Sequence, residues 1–381
     1  MSTRITKPEE LTDLVDMVST CFSYNMSDAE DRISRDFPLL FAPENNSHLH
    51  IYTEADSAGV EKIVSHAGCF NTLMRTDGLE IPVGGIGGVS TIEGFQGKGL
   101  ASALVDSCCK DLNSRGAVLA FLWTGNHDFY RKQGFELVAR QWIITLDQGF
   151  IPAIKQHLAP SVSTGTIFEC RELVDTTERE KYFPEAYAKL AYYPLGIKRS
   201  YKQFCALLSS KGCRMYGAFV AGKLRAYFVE GKGKDLLGYI HEWAGDDRGL
   251  LSLLCFALEE TKKELKILTP QFTPDEAPWI YTLDNLGAPM QAGHMAMVKI
   301  LNFPILQAML VKRVGAMGLD TKDFHISRAP DGYQIGWGND LFPGLTEHEF
   351  LALVFGPEPP KHDVLGAIFP LRLWWWGMDS V

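Results

Sequence analysis

The stretch Val83-Gly-Gly-Ile-Gly-Gly-Val-Ser-Thr-Ile-Glu-Gly-Phe-Gln-Gly-Lys-Gly-Leu-Ala-Ser-Ala103 decides how this chain is read. Its first part is strand-like but interrupted by Gly84, Gly85, Gly87 and Gly88. Glycine weakens a strand unless a bulge or the close approach of a ligand is wanted there. Its second part joins that strand to a helix through Gln96-Gly97-Lys98-Gly99-Leu100-Ala101. A helix start leaves backbone N–H groups unpaired and carries the positive end of the helix dipole, so it is a ready site for an anion. Small residues at positions 97, 99 and 101 let a phosphate reach that backbone. No Lys-Ser/Thr pair follows at the Walker offset and the spacing is not GxGxxG, which disfavours an NTPase or a dinucleotide enzyme. The helix that follows runs from about Gly97 to Ser114, with Leu100, Leu104, Cys108 and Leu112 forming one apolar stripe.

Outward from this segment, the periodicity gives a helix at Glu9–Phe22, strands at His48–Glu54, Ile63–Met74 and Ile81–Ile92, and an apolar run Ala117–Trp123. The order strand, strand, strand, helix, strand returns at Met215–Val220, Leu224–Glu230, Leu236–Trp243, Leu250–Lys263 and Leu265–Leu268, as a degenerate copy of one α/β unit. Pro270, Pro274, Pro278 and Pro289 then suggest a linker. A small α+β unit closes the chain: a strand at His294–Leu301, a helix at Pro304–Val314, a hairpin of Asp323–Ala329 and Tyr333–Trp337 around Pro330-Asp331-Gly332, and a capped helix at Thr346–Phe355. The expected divisions are 1–146, 147–286 and 287–381.

Composition narrows the function. The 381 residues hold 37 Lys and Arg against 46 Asp and Glu, a net charge of −9, which offers no excess of cations for a nucleic-acid backbone. The segment Met1–Pro8 has no apolar core of a signal peptide, and no apolar run approaches the ~20 residues of a membrane span, so a cytoplasmic location is expected. The eight cysteines form no CxxC pair and read as reduced, buried small hydrophobes, without a disulfide framework or a zinc site.

The strand–QxxGxA–helix segment, followed by Asn126-His-Asp-Phe-Tyr-Arg-Lys-Gln-Gly-Phe135, resembles the GNAT superfamily of acyl-CoA N-acyltransferases, with Gln96, Gly99 and Ala101 on its motif. The whole layout is similar to the enhanced-intracellular-survival acetyltransferase family, in which two GNAT-like mixed-sheet α/β units precede a sterol-carrier-protein-like α+β domain. The ending Phe369–Val381 is reminiscent of that family's C-terminal tail. Two departures stand out: the basic run common in its pyrophosphate loop is reduced to Lys98, and the chain ends in Val381 rather than in an aromatic residue.

The resemblance implies acetyl-CoA as co-substrate, held by Gln96, Gly97, Lys98, Gly99, Leu100 and Ala101 at the pyrophosphate and by backbone groups of Val89 and Ser90 along the pantetheine arm. Asn126 is a cap of the next helix or a further cofactor contact. Tyr130 takes the place of the tyrosine beside the thioester sulfur, and a phenol with pKa ~10 suits a donor to a thiolate. His127, although its type titrates near neutrality, fits a helix start better than a general base. The family's base is its own C-terminal carboxylate, here that of Val381; an α-carboxyl with pKa ~3.5 needs burial or a water relay to serve. Trp374, Trp375 and Trp376 need covering in either case. Glu80 and Asp379 are further carboxylates able to attract a cationic amine. The second unit offers Asp246-Asp247 where a pyrophosphate would sit, and Gly231-Lys-Gly-Lys234 reads as a hairpin turn, so one cofactor per chain is expected. The expected activity is direct acetyl transfer to a primary amine of a small cationic acceptor, polyamine- or aminoglycoside-like. The alternatives are a protein-lysine acetyltransferase and a non-catalytic acyl-CoA or lipid-binding protein. Family likeness implies a cyclic homo-oligomer such as a hexamer; the cysteine pattern leads to no expected metal, and the C-terminal unit, without a catalytic constellation, is expected to be structural.

Overall fold

Alternating side chains over Leu49–Ala55, Glu61–Thr76 and Leu79–Thr91 form the antiparallel strands β2, β3 and β4, with the short β1 (Arg4–Ile5) added beside β2. The computed structural model describes residues 3–28, 31–55, 57–159, 167–210 and 212–381. Asp77-Gly78, both with positive φ, turn β3 into β4 in a two-residue loop of the kind that matches strand twist. Helices α1 (Leu11–Cys21) and α2 (Ile33–Asp36) precede the strands, and α3 (Leu100–Ser114) packs its predicted stripe of Leu100, Leu104, Cys108 and Leu112 against the sheet. Strand β5 (Leu119–Leu122) lies parallel to β4 but pairs with it only at Val83–Gly85, so the two strands splay beyond that point. The short α4 (His127–Arg131) and β6 (Glu136–Leu146) follow.

The second unit repeats the order. After α5 (Ile151–Leu158), β7 (Glu169–Glu172), α6 (Thr176–Lys181), α7 (Phe183–Leu190), β8 (Gly196–Ile197) and α8 (Tyr201–Leu208) come the antiparallel β9 (Arg214–Val220), β10 (Lys223–Lys232) and β11 (Asp235–Gly245). Helix α9 (Asp247–Thr261) and β12 (Leu265–Thr269), parallel to β11, complete the repeat. The expected hairpin turn is present, since Lys232 pairs with Asp235 around Gly233-Lys234.

Two expectations fail here. The proline-rich stretch is not a plain linker, because Pro278 opens α10 (Pro278–Asn285), whose Trp279, Ile280 and Leu283 are buried. Proline suits the first turn of a helix, where its missing N–H would find no partner anyway. The strand expected at His294–Leu301 exists as β13 (Met290–Ile300), but it joins the large sheet, not the C-terminal unit. That sheet has 13 strands among the described residues, in the order β1-β2-β3-β4-β5-β13-β6-β12-β11-β10-β9-β7, with β8 pairing β3. The strand following β5 in the chain crosses to pair with β12 of the second unit, and the strand following β12 crosses back to pair with β5. The two units thus exchange their closing strands, and β6 and β13 pair with each other at the join.

The C-terminal unit contains α11 (Phe303–Ala316), the three-stranded sheet of β14 (Phe324–Ala329), β15 (Gly332–Trp337) and β16 (Asp340–Leu345), then α12 (Glu347–Phe355) and α13 (Asp363–Ile368). Thr346 and Glu349 cap α12 reciprocally, as the sequence predicts. Strand β16 has no signal in the sequence reading, because Pro343 and Gly344 interrupt it. One continuous core runs through this unit and both halves of the sheet.

The last thirteen residues return from this unit into the join between the first two. Arg372 leads them in, pairing with Asp77 of the β3–β4 turn at 2.6 Å and with Glu276 before α10 at 2.6 Å. Trp374, Trp375 and Trp376 are buried, with Trp375 against Phe121 and Trp123 of the first unit and Trp376 against Trp243 and Tyr193 of the second. Asp379 is fully enclosed, and Arg199 grips it with two hydrogen bonds, 2.6 and 2.8 Å, while also pairing with the buried Glu242 at 2.5 Å. Burial works to discharge the Arg199 guanidinium, but the two carboxylates overcome it and hold its pKa above the ordinary value. Lys232 is equally buried and donates to the carbonyl oxygens of Met378 (3.1 Å) and Ser380 (2.7 Å) and to the Ser380 hydroxyl (3.0 Å). Burial pushes its ammonium down to about 7, against the opposing pull of Asp379.

Removing one member of a buried ionic cluster leaves the others uncompensated, a cost of about 3–5 kcal/mol. Arg199→Met, which strands Glu242 and Asp379 together, is expected to lower the unfolding free energy by that amount in urea titration.

Candidate active site

The site forms where β4 and β5 part. Strand β4 carries a bulge between Gly87 and Ser90 opposite β3, and Gly88 within it has φ +61°, a conformation that glycine adopts without strain. His66, fully buried on β3, bonds the Gly88 carbonyl through Nδ1 at 2.8 Å and so fixes the bulge. Ser65 does the same for Ser90, its hydroxyl donating to the Ser90 carbonyl at 2.9 Å. Past Gly85 no neighbouring strand among the described residues pairs with the β5 side of β4, so backbone groups around Val89 and Ser90 are available to an extended ligand arm.

The glycine-rich loop joins β4 to α3. Helix α3 begins at Gly99 in a left-handed conformation (φ +78°) with no side chain capping it, and Gly97 and Gly99 have open space around them. Gln96 braces the loop from behind, its amide donating to the Thr91 carbonyl at 3.1 Å. Lys98 stands over the Phe95 ring at 4.3 Å, exposed at the mouth. The free edge of the bulged strand, Lys98 and the uncapped helix start follow one another along the chain from Gly87 to Leu100, an order that fits a pantetheine arm followed by a pyrophosphate.

Tyr130 lies in α4 and is largely buried against Phe129 and Phe135, and burial pushes its phenol up to about 12, so it stays protonated at neutral pH. It shares a cavity of about 660 Å³ with Gly87, Gly88, Val89, Trp123, the three tail tryptophans and Val381. The tail end comes closest to β4: a Cβ on Gly87 would fall on the Val381 carboxyl carbon, and one on Gly85 would meet the Val381 side chain. The glycine interruptions therefore have separate causes. Gly84 admits Leu112 of α3, Gly85 and Gly87 admit the chain's own end, and Gly88 forms the bulge.

The remaining candidates disperse. Asn126 occupies the N-cap position of α4 but makes no side-chain cap bond, contrary to the capping expectation, and is exposed. His127, next to it, is not among the residues lining the cavity. Glu80 pairs with Lys198 on the surface at 2.8 Å, and Asp379 is committed to Arg199. In the second unit the start of α9 is occupied by the chain itself, because the Asp246 side chain accepts from the Gly249 N–H and Asp247 from that of Trp279. The sequence reading missed Lys234 and Asp235, which reach the cavity from the β10–β11 turn, and Tyr24 and Asp36, bonded to each other at 2.6 Å beside it. Residues from separate units meeting through the tail leave no local pattern in the sequence.

Burial holds His66 and His241 neutral, with pKa values lowered from 6.5 to about 4. The unfolded chain binds protons below pH 6.5 that the fold refuses, so their contribution is intact above 6.5 and is lost as pH falls towards 4. Urea midpoints are expected to decline through that window, and less steeply in a His66→Gln/His241→Gln variant.

Residues 2–138 match the model of an acetyltransferase (GNAT) domain. Among solved structures, the chain is similar to a GCN5-related N-acetyltransferase from Anabaena variabilis, with 14% identity, all of both chains covered and a TM-score of 0.60. It is also similar to Eis1 from Mycobacterium abscessus, with 9% identity, both chains covered in full and a TM-score of 0.57. A probable N-acyltransferase from Enterococcus faecalis shares 18% identity over 79% of this chain and 72% of its own, with a TM-score of 0.54. At these identities the likeness concerns the fold. No curated protein sequence gives a significant match.

Proposed function

With residues 2–138 an acetyltransferase (GNAT) domain that draws on acetyl-CoA, we propose that this chain moves an acetyl group directly to a primary amine of a small cationic acceptor, with Tyr130 and the Val381 carboxylate in the proton transfers. One observation carries this reading: Tyr130 and Val381, 251 positions apart in the chain, line the same cavity beside the β4 bulge. In the proposed step the amine nitrogen bonds to the thioester carbonyl carbon and the carbon–sulfur bond breaks. The Val381 carboxylate takes the amine proton, through water where the pKa mismatch requires it, and the Tyr130 phenol protonates the departing CoA thiolate. N–H groups of the bulge at Val89 and Ser90 hold the thioester carbonyl, and Gln96, Gly97, Lys98, Gly99, Leu100 and Ala101 receive the pyrophosphate. Asn126 stands near enough in sequence to Tyr130 to remain a candidate cofactor contact.

The acceptor class is supported by the cavity's character. Phe22, Phe37, Phe41 and Trp123 supply aromatic faces that attract cations, and Asp235 and the Val381 carboxylate supply two negative charges against the one positive charge of Lys234. A walled cavity of about 660 Å³ suits a small molecule better than a lysine within an extended peptide. We further propose that the chain divides at 146 and 286, with β13 returning across the second division into the large sheet, that the second unit holds the tail instead of a second cofactor, and that the C-terminal unit, sterol-carrier-like, is structural. A cyclic homo-oligomer completes the proposal, and light scattering tests it.

Thiol release from acetyl-CoA, followed against polyamines, aminoglycosides and lysine peptides, tests the reading alongside calorimetric titration with CoA. The expected result is turnover with a small polycation. Tyr130→Phe should lower kcat by about 10²–10⁴-fold while leaving the CoA affinity unchanged. Absence of CoA binding would overturn the assignment of Gln96–Ala101, and a preference for peptides would overturn the acceptor class.

A further inference from the structure

At the opposite end of α3 from the proposed pyrophosphate site, four side chains capable of binding a metal converge from three elements. His50 of β2, Cys69 of β3 and Cys108 of α3 are all buried, and their ligand atoms lie within 4.8 Å of one another. Asp111, one helical turn beyond Cys108, completes the group: its Oδ2 is 3.3 Å from Cys69 Sγ and 3.5 Å from His50 Nε2. We propose that His50, Cys69, Cys108 and Asp111 form a structural zinc site that fastens the C-terminal half of α3 to strands β2 and β3.

Three features of the cluster support a metal. The first is size. Zinc bonds of ~2.0–2.3 Å in a tetrahedron put neighbouring ligand atoms about 3.3–3.8 Å apart, and the two measured edges at Asp111 already have that length. The three edges among His50, Cys69 and Cys108 need to close by at most about 1–1.5 Å from the 4.8 Å bound, and the Asp111–Cys108 edge, which that bound does not cover, joins residues three apart on one helix face. The second is crowding around one atom. Asp111 Oδ2 is approached by His48 Nδ1 at 2.9 Å, Arg115 Nη2 at 3.2 Å, Cys69 and His50, more partners than one carboxylate oxygen has lone pairs to share. A cation bound between the sulfurs, the imidazole and the carboxylate relieves this, and His48 is left to orient Asp111 from outside. The third is charge. Two thiolates and a carboxylate carry three negative charges, which Zn²⁺ and the Arg115 guanidinium, 3.3 Å from Cys69 Sγ, balance.

The donor set is two sulfurs, one imidazole nitrogen and one carboxylate oxygen, a combination that favours Zn²⁺ over Mg²⁺ or Ca²⁺. Four protein ligands leave no open position, so the site is structural. Asp111 is eleven residues along α3 from Leu100, roughly 16 Å at ~1.5 Å per residue, which keeps the metal away from the proposed pyrophosphate site. Partly exposed His48 and Asp111 form the rim through which the ion enters. Sequence reading predicts no zinc site because it looks for CxxC pairs. Here the ligands come one at a time from positions 50 and 69, and only 108 and 111 share a helix face.

The test uses the full chain, purified under reducing conditions without chelator. Metal analysis is expected to give about one zinc per chain. Replacement by cobalt(II) should give the visible bands of a tetrahedral site together with a thiolate-to-cobalt band of two sulfurs. Cys69→Ala and Cys108→Ala, each replacing a buried thiol by a small apolar group, should both drop bound zinc at least tenfold, and chelation should lower Tm in the unsubstituted chain alone. Unchanged zinc content in either folded variant would overturn the proposal. So would the lack of a thiolate-to-cobalt band in the unsubstituted chain, a result that does not depend on the variants folding, or a Cys69–Cys108 disulfide in the native protein.

Discussion

The grip of Arg199 on Asp379 is the contact on which the candidate site depends. An arginine presenting its planar fork to a carboxylate makes two parallel charge-assisted bonds that fix direction as well as distance. Here both partners are buried, and Glu242 supplies a second anion, so the guanidinium has only one arrangement that leaves no carboxylate stranded. With Asp379 held, Lys232 collects the Met378 and Ser380 carbonyl oxygens, and the two residues after Asp379 are directed against Gly87. A buried ion pair is weak evidence for stability in itself. Its consequence in this fold is positional: Arg372 fixes where the tail enters and Trp374, Trp375 and Trp376 anchor it, while Asp379 is the charged side chain that sets its register beyond the tryptophans.

That arrangement assigns the second unit a role that its own sequence obscures. Its helix α9 closes its own N-terminus, with the Asp246 side chain accepting from the Gly249 N–H. Its β10–β11 hairpin instead turns Lys232 inwards to the tail, and Lys234 and Asp235 towards the cavity of the first unit. The exchange of β6 and β13 between the halves makes this possible. It fuses two sheets into one and leaves a seam along which the tail can run from the C-terminal unit to the β4 bulge.

Much of the first unit was legible because its signals are local. The stripe Leu100, Leu104, Cys108 and Leu112 and the strand-to-helix loop Gln96–Ala101 each act over a few residues, and each is found where the sequence pattern puts it. The reading of Val83–Ser90 was right about a bulge and incomplete about the approaching group, because nothing in that strand says that the partner at Gly85 and Gly87 lies nearly three hundred residues later. Strand β13 went to the wrong sheet for the same reason: alternation identifies a strand, while pairing depends on what else lacks a neighbour. The Pro278 helix and β16 were lost to proline and glycine, which punctuate a sequence without saying whether an element ends or begins there. Asn126 shows the converse, a cap-type residue in the cap position whose side chain makes no cap bond.

The account stands or falls on whether the end of the chain, held by Arg199 and Lys232, takes part in chemistry beside Tyr130. The most direct measurement is kcat and CoA affinity for a chain extended by one glycine after Val381. The extension keeps Asp379 and every tryptophan anchor but displaces the carboxylate by about 3.5 Å. The account predicts loss of turnover by at least about 10²-fold with CoA binding unchanged. Full turnover in the extended chain would contradict it and remove the Val381 carboxylate from the mechanism.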